Sequence, residues 1–307
     1  MSGGFSPIDL SQLPAPQLVE ALDFETILAE RKARLISLYP SEEQPTIAAR
    51  LALESDPMTK LLQESAFREL QLRQRVNDAV RGVMLAYATG TDLDQIGGNF
   101  KVERLVLDYG DATTVPPTPA RYETDEDFRR RIQLSPEGYT TAGSEGSYVF
   151  HGLSAAAAVR DVSATSPAPG VVAVYVLSRE GNGSASDGLL ASVATALNSE
   201  TVRPMTDQVL VHSASITSYT VDAELVMYPG PDANVVREAA LAAVTAYTEA
   251  QQRIGYDITI SGLYAALHQP GVQRVNLWAP TGNLIIGEGE AGYCTAITLT
   301  VAGQADV

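Results

Sequence analysis

The stretch from Pro57 to Arg104 constrains the fold of this chain more than any other part of the sequence. Apolar residues recur in it at steps of three and four, the spacing that gathers side chains along one face of an α-helix. About thirty residues at ~1.5 Å each would form a rod of roughly 45 Å. Such a rod is longer than a small domain needs to cover its own core, so we expect part of its apolar stripe to contact another chain. The residues predicted to form that contact are Leu62, Phe67, Leu70, Val76, Val80, Val83 and Met84.

Size and charge bound the class of protein. A chain of 307 residues predicts about two domains on a prior of ~150 residues each, and an apolar content of 45% is sufficient for buried cores. The formal net charge of -16 argues against binding to nucleic acid, because the phosphates would be repelled. The basic run Arg129–Arg131 is too short to change this expectation.

Signals for secretion or membrane insertion are not visible in the sequence. The N-terminal residues show no basic region followed by an apolar one, as a secretory signal would. The longest uncharged run, Val162–Ser178, is interrupted by two prolines and a glycine and is too short to span a membrane. The single cysteine, Cys294, is expected to be a small buried hydrophobe outside any intrachain disulfide. We therefore expect a soluble protein.

Residues 1–111 are predicted to form a helical region. Its elements are an extended proline-containing arm over residues 1–17 and helices over Val19–Leu38 and Ile47–Leu53, ahead of the long helix. Gly90 is predicted to end the long helix, and Thr91–Asp94 to restart a short turn. Because these three helices are too few to enclose a core of their own, we expect a helical bundle that is completed by partner chains.

Residues 123–213 are predicted to form a first α/β unit, after a linker over residues 112–122 whose prolines preclude regular structure. Thr124 is a candidate cap for a helix that begins with three acids and continues with three arginines. The apolar run Val171–Leu177 predicts a strand buried on both faces, in the middle of a sheet. The other expected elements are helices over Ser144–Leu153 and Ser186–Leu197 and strands over Val159–Val162 and Gln208–His212.

Residues 214–280 are predicted to form a second α/β unit. From Tyr219 to Met227 apolar and polar residues alternate, as in an antiparallel sheet with one solvated face. The remaining elements are a helix over Val235–Gln252, a strand over Asp257–Ile260, a helix over Ser261–His268 and a strand over Val272–Leu277. Residues 281–307 form a tail whose final strand, Tyr293–Val301, is expected to pair at an edge of its own sheet or of a neighbour's.

The two α/β units share a faint internal repeat. It joins GSYVFHGLSAAAAVRDV and SGLYAALHQPGVQRVNL, each of which runs from a helix through a turn into a strand that carries Arg160 or Arg274. We interpret the repeat as two related split β-α-β units in tandem. The predicted fold class is therefore α+β, with a helical N-terminal region containing a long amphipathic helix, two tandem small α/β units and a C-terminal strand.

The loop Gly181–Gly188 is the strongest candidate for an enzymatic site, because it lies between a buried strand and a helix, as nucleotide-binding loops do. Its spacing does not fit, since leucines follow Gly188 where a Walker loop requires lysine, and Ser186 stands where a dinucleotide fingerprint requires glycine. The three histidines are too far apart in sequence to indicate a preformed metal site. We predict no catalytic residue, cofactor or metal, and the alternative is a nucleotide-dependent α/β enzyme that uses this loop.

A further pattern follows the long helix. Its residues are Ala88, Gly90, Leu93, Asp94 and Gly97, and then Val102, Glu103 and Arg104. The pattern resembles the A-x-G-x-x-L-D-x-x-G and V-x-R signature of the baseplate J family of contractile phage tails and related injection machines. Lys101 stands where that family has its second glycine, which relaxes the expectation of a very tight turn there.

The resemblance extends over roughly residues 55–280 and includes the acidic-then-arginine segment and the small-residue helix. It implies a structural wedge protein of the baseplate, located in a virion or a tailocin and assembled in the host cytoplasm. In that family two copies associate in each wedge through the N-terminal helices, and neighbouring wedges close a ring around the central spike. The implied partners are a second copy, other wedge proteins, and sheath-proximal and fibre-attachment components, with no nucleic acid and no membrane.

Overall fold

A computed structural model describes residues 8, 10, 13, 14, 16 and 22–304, except 141 and 231, so most of the predicted N-terminal arm lies outside the described residues. The chain divides into two compact units, Ile8–Asn99 and Phe100–Val307. Helices make up the first unit, and helices with small sheets make up the second, which confirms the predicted α+β class. Within the described ranges, no helix combines the length and the hydropathy that a membrane crossing requires.

The described residues of the helical unit form four α-helices. They are α1 (Phe24–Ser37), α2 (Gln44–Leu51), α3 (Pro57–Gly82) and α4 (Gly90–Asn99). The first helix begins later than predicted, because the Asp23 carboxylate accepts a hydrogen bond from the Thr26 amide and caps it. Asp56 caps α3 in the same way at the Met58 amide.

The long helix α3 is shorter than the sequence predicted. It has 26 residues, about 39 Å at ~1.5 Å each, and it ends at Gly82. Beyond it the chain continues in turns, in which the Met84 amide donates to Arg81 O and the Tyr87 amide to Met84 O. Hydrogen bonds that span three residues preserve the spacing of the apolar side chains, so periodicity alone could not detect the end of the helix. The prediction that Gly90 ends the helix was wrong, because this residue begins α4.

The second unit opens with a small hairpin-like element rather than an open linker. Strands β1 (Val106–Asp108) and β2 (Arg121–Tyr122) pair antiparallel, and Asp111 and Thr118 exchange two backbone hydrogen bonds of 2.9 Å. The Thr118 amide also donates to Thr114 Oγ1 at 3.0 Å. The prolines lie within this closed loop, where they need donate no ladder hydrogen bond. The expectation that they preclude regular structure was therefore wrong for the C-terminal part of the segment, where Thr118, Arg121 and Tyr122 pair with residues before the loop.

The first sheet has the strand order β3-β4-β5. Its elements are helices α5 (Asp125–Leu134), α6 (Glu145–Ala155) and α7 (Asp187–Leu197) and strands β3 (Val159–Ala168), β4 (Val171–Ser178) and β5 (Gln208–Ser213). The central position predicted for β4 is confirmed, with β3 antiparallel and β5 parallel to it. Thr124, Ser144 and Ser186 cap the three helices through their hydroxyl oxygens.

The second sheet has the strand order β7-β6-β8. Its elements are β6 (Ser215–Met227), α8 (Ala233–Gln251), α9 (Ile260–Leu267), β7 (Val272–Ala279) and β8 (Glu290–Gln304). The alternation predicted for β6 is confirmed, because its odd-numbered residues from Tyr219 to Met227 belong to the core under α8 and α9. The sheet is mixed rather than antiparallel, since β8 runs parallel to β6. The strand predicted over Asp257–Ile260 is wrong, because there Ile258 forms an isolated bridge and Thr259 caps α9.

The two sheets have the same layout with the chain order exchanged. Each has a central strand, an antiparallel edge strand that follows a helix, and a parallel strand on the other edge. In the first sheet the helix and edge strand, α6 and β3, precede the centre β4. In the second sheet α9 and β7 follow the centre β6. The two segments of the internal repeat therefore occupy equivalent positions, because each forms the helix and the antiparallel edge strand of its sheet.

Candidate functional site

The helix α3 carries apolar side chains on two different faces. On the first face Ala66 is fully buried against Ile27 and Leu28 of α1, and Leu62 and Leu70 pack against the same cluster. On the second face Leu61, Leu72 and Val76 are 70%, 65% and 59% exposed. Their separations of 11 and 4 residues place them within ~60° of one another around the helix. We call Leu61, Leu72 and Val76 the exposed row.

The residues predicted to form a contact with another chain are divided between these environments. Leu62 and Leu70 serve the contact with α1 inside the unit. Val76 belongs to the exposed row, while Phe67 is 51% exposed on another side of the helix. Val80 and Met84 are half-buried, and Val83 is exposed in the turns after α3. Leu72 was not predicted from the sequence, although its 11-residue spacing from Leu61 could have identified it.

A polar network accompanies the contact between α1 and α3. Arg31 Nε donates to Glu69 Oε2 at 2.8 Å, and Arg31 Nη1 donates to Ser65 Oγ at 2.5 Å. Arg73 Nη2 donates to Glu69 Oε1 at 2.6 Å. The two guanidinium groups, Arg31 first, lower the pKa of the Glu69 carboxyl. This network sets which face of α3 meets α1, and the exposed row lies on another part of its circumference.

The helix α5 is the charged centre of the second unit. It forms ion pairs with residues from five different parts of the unit, and most of these charges are buried or half-buried. The pairs are Arg104 Nη2–Asp125 Oδ1 (2.8 Å), Arg253 Nη2–Glu126 Oε1 (3.0 Å), Arg179 Nη1–Asp127 Oδ2 (2.8 Å), Arg130 Nη1–Asp161 Oδ1 (2.8 Å) and Arg131 Nη1–Glu123 Oε1 (3.5 Å). Arg130 and Arg131 therefore face carboxylates and do not form a basic surface.

Two adjacent residues of β3 extend this network to the second sheet. Asp161 Oδ2 accepts a hydrogen bond of 3.0 Å from the Ile254 amide. Arg160 donates to the carbonyl oxygens of Glu249, at 2.6 Å, and Gln252, at 3.0 Å, at the C-terminal end of α8. A guanidinium group is favoured there, because the last carbonyls of a helix have no partner within the helix. The network thus joins the first sheet to the last turn of α8.

The most deeply buried pair of this network is Glu123 and Arg131. Glu123 Oε1 accepts a hydrogen bond of 2.9 Å from the Leu105 amide, and Arg131 Nη2 donates to Glu103 O at 2.7 Å. Both residues are buried, and burial raises the pKa of Glu123 above its ordinary value. Arg104, the last residue of the V-x-R pattern, donates to the Glu123 carbonyl oxygen at 3.0 Å.

The preceding part of the same family signature, Gly90, Leu93, Asp94 and Gly97, lies in α4. Leu93 is fully buried and Gly97 is buried in α4, Asp94 is half-buried there, and Gly90 begins this helix with a φ of +53°. Lys101 has a φ of +58°, a left-handed conformation that glycine adopts at lower cost. The expectation that lysine relaxes the turn was wrong, since the turn keeps the conformation that a glycine would favour.

The Gly181–Gly188 loop is closed by its own hydrogen bonds. The Gly183 amide donates to Glu180 O at 3.1 Å, and the Ser184 amide to Asn182 Oδ1 at 3.1 Å. The amides of Ala185 and Leu189 donate to the hydroxyl oxygens of Ser213 and Ser186 at 2.9 and 3.3 Å. A phosphate-binding loop requires amides that point at the ligand. These amides are already engaged, so the geometry does not favour the nucleotide-dependent alternative.

Two other side chains that could carry chemistry, His151 and Cys294, are half-buried. The His151 ring contacts the Phe150 ring at 5.2 Å in an edge arrangement, and burial lowers the pKa of this histidine. Cys294 is half-buried rather than buried as predicted, and burial raises the pKa of its thiol. In the part of the chain that the structure describes, no group of three or more His, Cys, Asp or Glu side chains could hold a metal ion.

Comparisons with known proteins cover most of the chain. Models of the Baseplate J-like N-terminal domain, the Baseplate J-like central domain and the Baseplate J-like protein C-terminal domain match residues 54–111, 140–213 and 219–300. The Baseplate protein J of Escherichia phage P2 is 53% identical over 297 residues, 97% of this chain and 98% of that protein. The 6-fold symmetrised cryo-EM structure of the anti-feeding prophage (AFP) baseplate contains a chain that overlaps with a TM-score of 0.41 and 17% identity. The overlap covers 59% of this chain and 44% of that chain.

Proposed function

The chain belongs to the baseplate J-like family and is a structural protein of the phage baseplate, and on that premise we propose that it builds the wedges of a contractile-tail baseplate. Two copies associate in each wedge through their helical units, and the wedges close into a ring around the central spike. Neighbouring copies meet through their C-terminal units. Its other partners are further wedge proteins and sheath-proximal and fibre-attachment components, and the ring is assembled in the host cytoplasm.

The exposed row on α3 is the observation that supports self-association most directly. Leu61, Leu72 and Val76 lie along about 22 Å of one helix face, and each is more than half exposed. Fully burying one such side chain contributes roughly 1.5–3 kcal/mol. Covering the exposed parts of the row would therefore contribute roughly 3–5 kcal/mol per copy, before the cost of association. This contribution favours burial of the row, and further contacts between the two copies are needed to offset the cost of association.

The small core of the helical unit supports the same proposal. The buried apolar residues in the described part of this unit are Ile27, Leu28, Ile47, Leu51, Ala66, Ala88 and Leu93. Alanines make up part of this set, and small units with few large buried side chains commonly depend on association for their stability. A second copy packed on the exposed row would enlarge the apolar core that the helices share.

A double substitution in the exposed row tests the proposed contact. Leu72→Glu with Val76→Glu places two carboxylates where a dry contact is proposed, so we expect at least tenfold fewer assembled rings in negative-stain images. The helix itself tolerates the change, because Arg68 and Arg75 lie four and three residues from position 72 and can pair with the new glutamate. The far-ultraviolet circular dichroism of the variant should match that of the unmodified chain.

The matched control adds the same two charges to α3 at positions outside the exposed row. Gln63→Glu with Gln71→Glu should leave ring assembly unchanged, because both positions lie away from the exposed row. A charge at Leu70 is unsuitable for this test, since Leu70 packs against α1 and its loss would disturb the unit itself. Normal rings from the Leu72 and Val76 variant would contradict the proposed helix contact.

A further inference from the structure

The final strand β8 leaves most of one edge unpaired. It is 15 residues long, whereas a typical strand has about 5–6, and it lies at the edge of its sheet beside β6. Among the described residues, contacts on the outer side are limited to its beginning, where the Gly255 amide donates to Glu290 O at 3.0 Å and Ile254 bridges Ala291. From Gly292 onward, no strand in the described ranges pairs with this outer edge. A row of backbone donors and acceptors is therefore available to another chain.

The composition of β8 does not protect this edge. Exposed edge strands usually carry lysine, proline or inward-pointing charges that prevent pairing with other chains. Between Ala291 and Gly303 the sequence has no charged residue and no proline. The pairing of β8 with β6 shifts register beside Thr295 and again beyond Val301. Between these two shifts, Ala296–Val301 pairs with β6 in regular register. This segment can accept a further strand without changing its shape.

The side chains of the regular segment are also incompletely covered. Ile297, Leu299 and Val301 face the core of the second sheet but are only half-buried. A groove of about 470 Å³ lies between α8 and β8, and Leu241 of α8 and Ile297 are among the residues that line it. An added strand of alternating character would place its apolar side chains over this half-buried face.

Charge and size indicate which occupant fits. The chain has a net charge of -16, so two copies repel each other except where the contacting surfaces are neutral. The outer edge of β8 is such a surface, and a copy of the same strand matches it in length and in alternation. Pairing over residues 294–302, the range symmetric about Thr298, would cover about 31 Å of strand, or roughly 600 Å² in total at a sheet thickness of ~10 Å. This is less than ~1,200 Å², the lower end of the range for standard interfaces, so the contact is weak alone and needs a second contact between the copies.

We propose that the outer edge of β8 pairs antiparallel with β8 of a second copy, centred on Thr298, to form a continuous six-stranded sheet across two C-terminal units. This inference rests on the proposed ring assembly, in which the contact through α3 holds copies close together and raises their effective concentration. A two-fold axis perpendicular to the sheet keeps residues of the same face opposite each other. Thr298 of one copy then lies opposite Thr298 of the other, with Cβ atoms ~4.5–5.5 Å apart.

Cysteine cross-linking in assembled baseplates tests this geometry. Cys294 is the only cysteine of the chain, so Cys294→Ser with Thr298→Cys leaves one thiol at the proposed centre. A short bismaleimide should then link two copies through residue 298, which denaturing gels and mass spectrometry would detect. The matched control is Cys294→Ser with Gln273→Cys, whose thiol lies exposed on β7 at the opposite edge of the sheet and should form no such link.

A second pair of variants tests whether the contact matters for assembly. Thr298→Lys with Thr300→Lys places two cations on each copy at the shared edge, and edge lysines oppose strand pairing. Each lysine gains a carboxylate neighbour within its own chain, because Thr298 lies opposite Asp222 and Thr300 opposite Glu224 in the register of β6 and β8. We expect an unchanged melting temperature and at least tenfold fewer closed rings, with Gln273→Lys assembling normally.

The outcomes separate this inference from the proposed function. Baseplates that assemble while residue 298 links to a different protein, or to nothing, would overturn the pairing of β8 but leave the wedge role intact. If the lysine variant proves unstable, the cross-link at residue 298 still decides the geometry. Rings that form normally in both the lysine variant and the Leu72 and Val76 variant would refute the proposed self-association as well.

Discussion

Replacing Asp161 with asparagine removes one buried charge at the junction of the two sheets without changing the shape of the side chain. Asp161 is 2% exposed; its Oδ1 lies 2.8 Å from Arg130 Nη1, and its Oδ2 accepts from the Ile254 amide at 3.0 Å. Asparagine has one acceptor oxygen and two N–H donors, so it can serve only one of these partners. The N–H group of the other partner then faces the N–H donors of the asparagine side chain.

The cost follows from burial. Arg130 would remain in a largely buried position without its counter-charge, and breaking a buried ion pair in this way costs roughly 3–5 kcal/mol. Losing the hydrogen bond to Ile254 instead would cost about 1–3 kcal/mol, because a buried amide would be left unsatisfied. We therefore expect Asp161→Asn to lower the free energy of unfolding of the second unit by about 4 kcal/mol. The exposed pair of Arg68 and Glu64 provides the comparison, and Glu64→Gln should cost less than about 1 kcal/mol.

Urea denaturation followed by circular dichroism measures the effect. With a slope of ~2–3 kcal/mol per molar urea, a loss of 4 kcal/mol shifts the midpoint downward by roughly 1.5 M. Hydrogen exchange at the Ile254 amide should also become faster in the variant. A midpoint within about 0.4 M of the unmodified chain would refute the reasoning, since the ion pair would then contribute no more than a surface pair. Asp161→Leu with Arg130→Met should restore only part of the loss, because no buried charge remains unpaired but the Ile254 amide still lacks an acceptor.

Two further predictions concern single residues. His151 has a pKa lowered by burial, so the unfolded chain binds more protons below pH ~6.5 and stability falls as the pH falls through the folded-state pKa. In His151→Gln the decline in melting temperature between pH 7 and pH 5 should be smaller than in the unmodified chain, and an equal decline would contradict this. Lys101→Gly should raise the free energy of unfolding by roughly 0.5 kcal/mol, because glycine relieves the left-handed conformation and partly offsets that gain through its larger unfolded-state entropy. Destabilisation by this substitution in a urea titration would show that Lys101 makes a compensating contact.

The candidate site was only partly predictable from the sequence. The resemblance in Gly90–Arg104 identified the family correctly, because those residues lie close together along the chain. The apolar content of α3 was also recognised, but Leu70 was assigned to a contact with another chain and instead packs on α1. Periodicity identifies apolar residues and their spacing, and it does not indicate which neighbour covers each face. For the same reason the exposed Leu72 was missed.

Features that depend on a few neighbouring residues were determined by the sequence alone. The cap of α5 at Thr124 and the alternation of β6 follow from interactions within a few positions or from the repeat of the strand itself. The apolar run of β4 predicted its central place in the sheet, but Val171, Val172 and Tyr175 are half-buried rather than buried. Only the tertiary structure decided which groups meet across long separations. Glu126 pairs with Arg253, 127 residues away, and β8 lies beside β6 with an open outer edge. Such partners are selected by the packing of whole elements, whose burial energies depend on the three-dimensional arrangement and leave no periodic pattern in the chain.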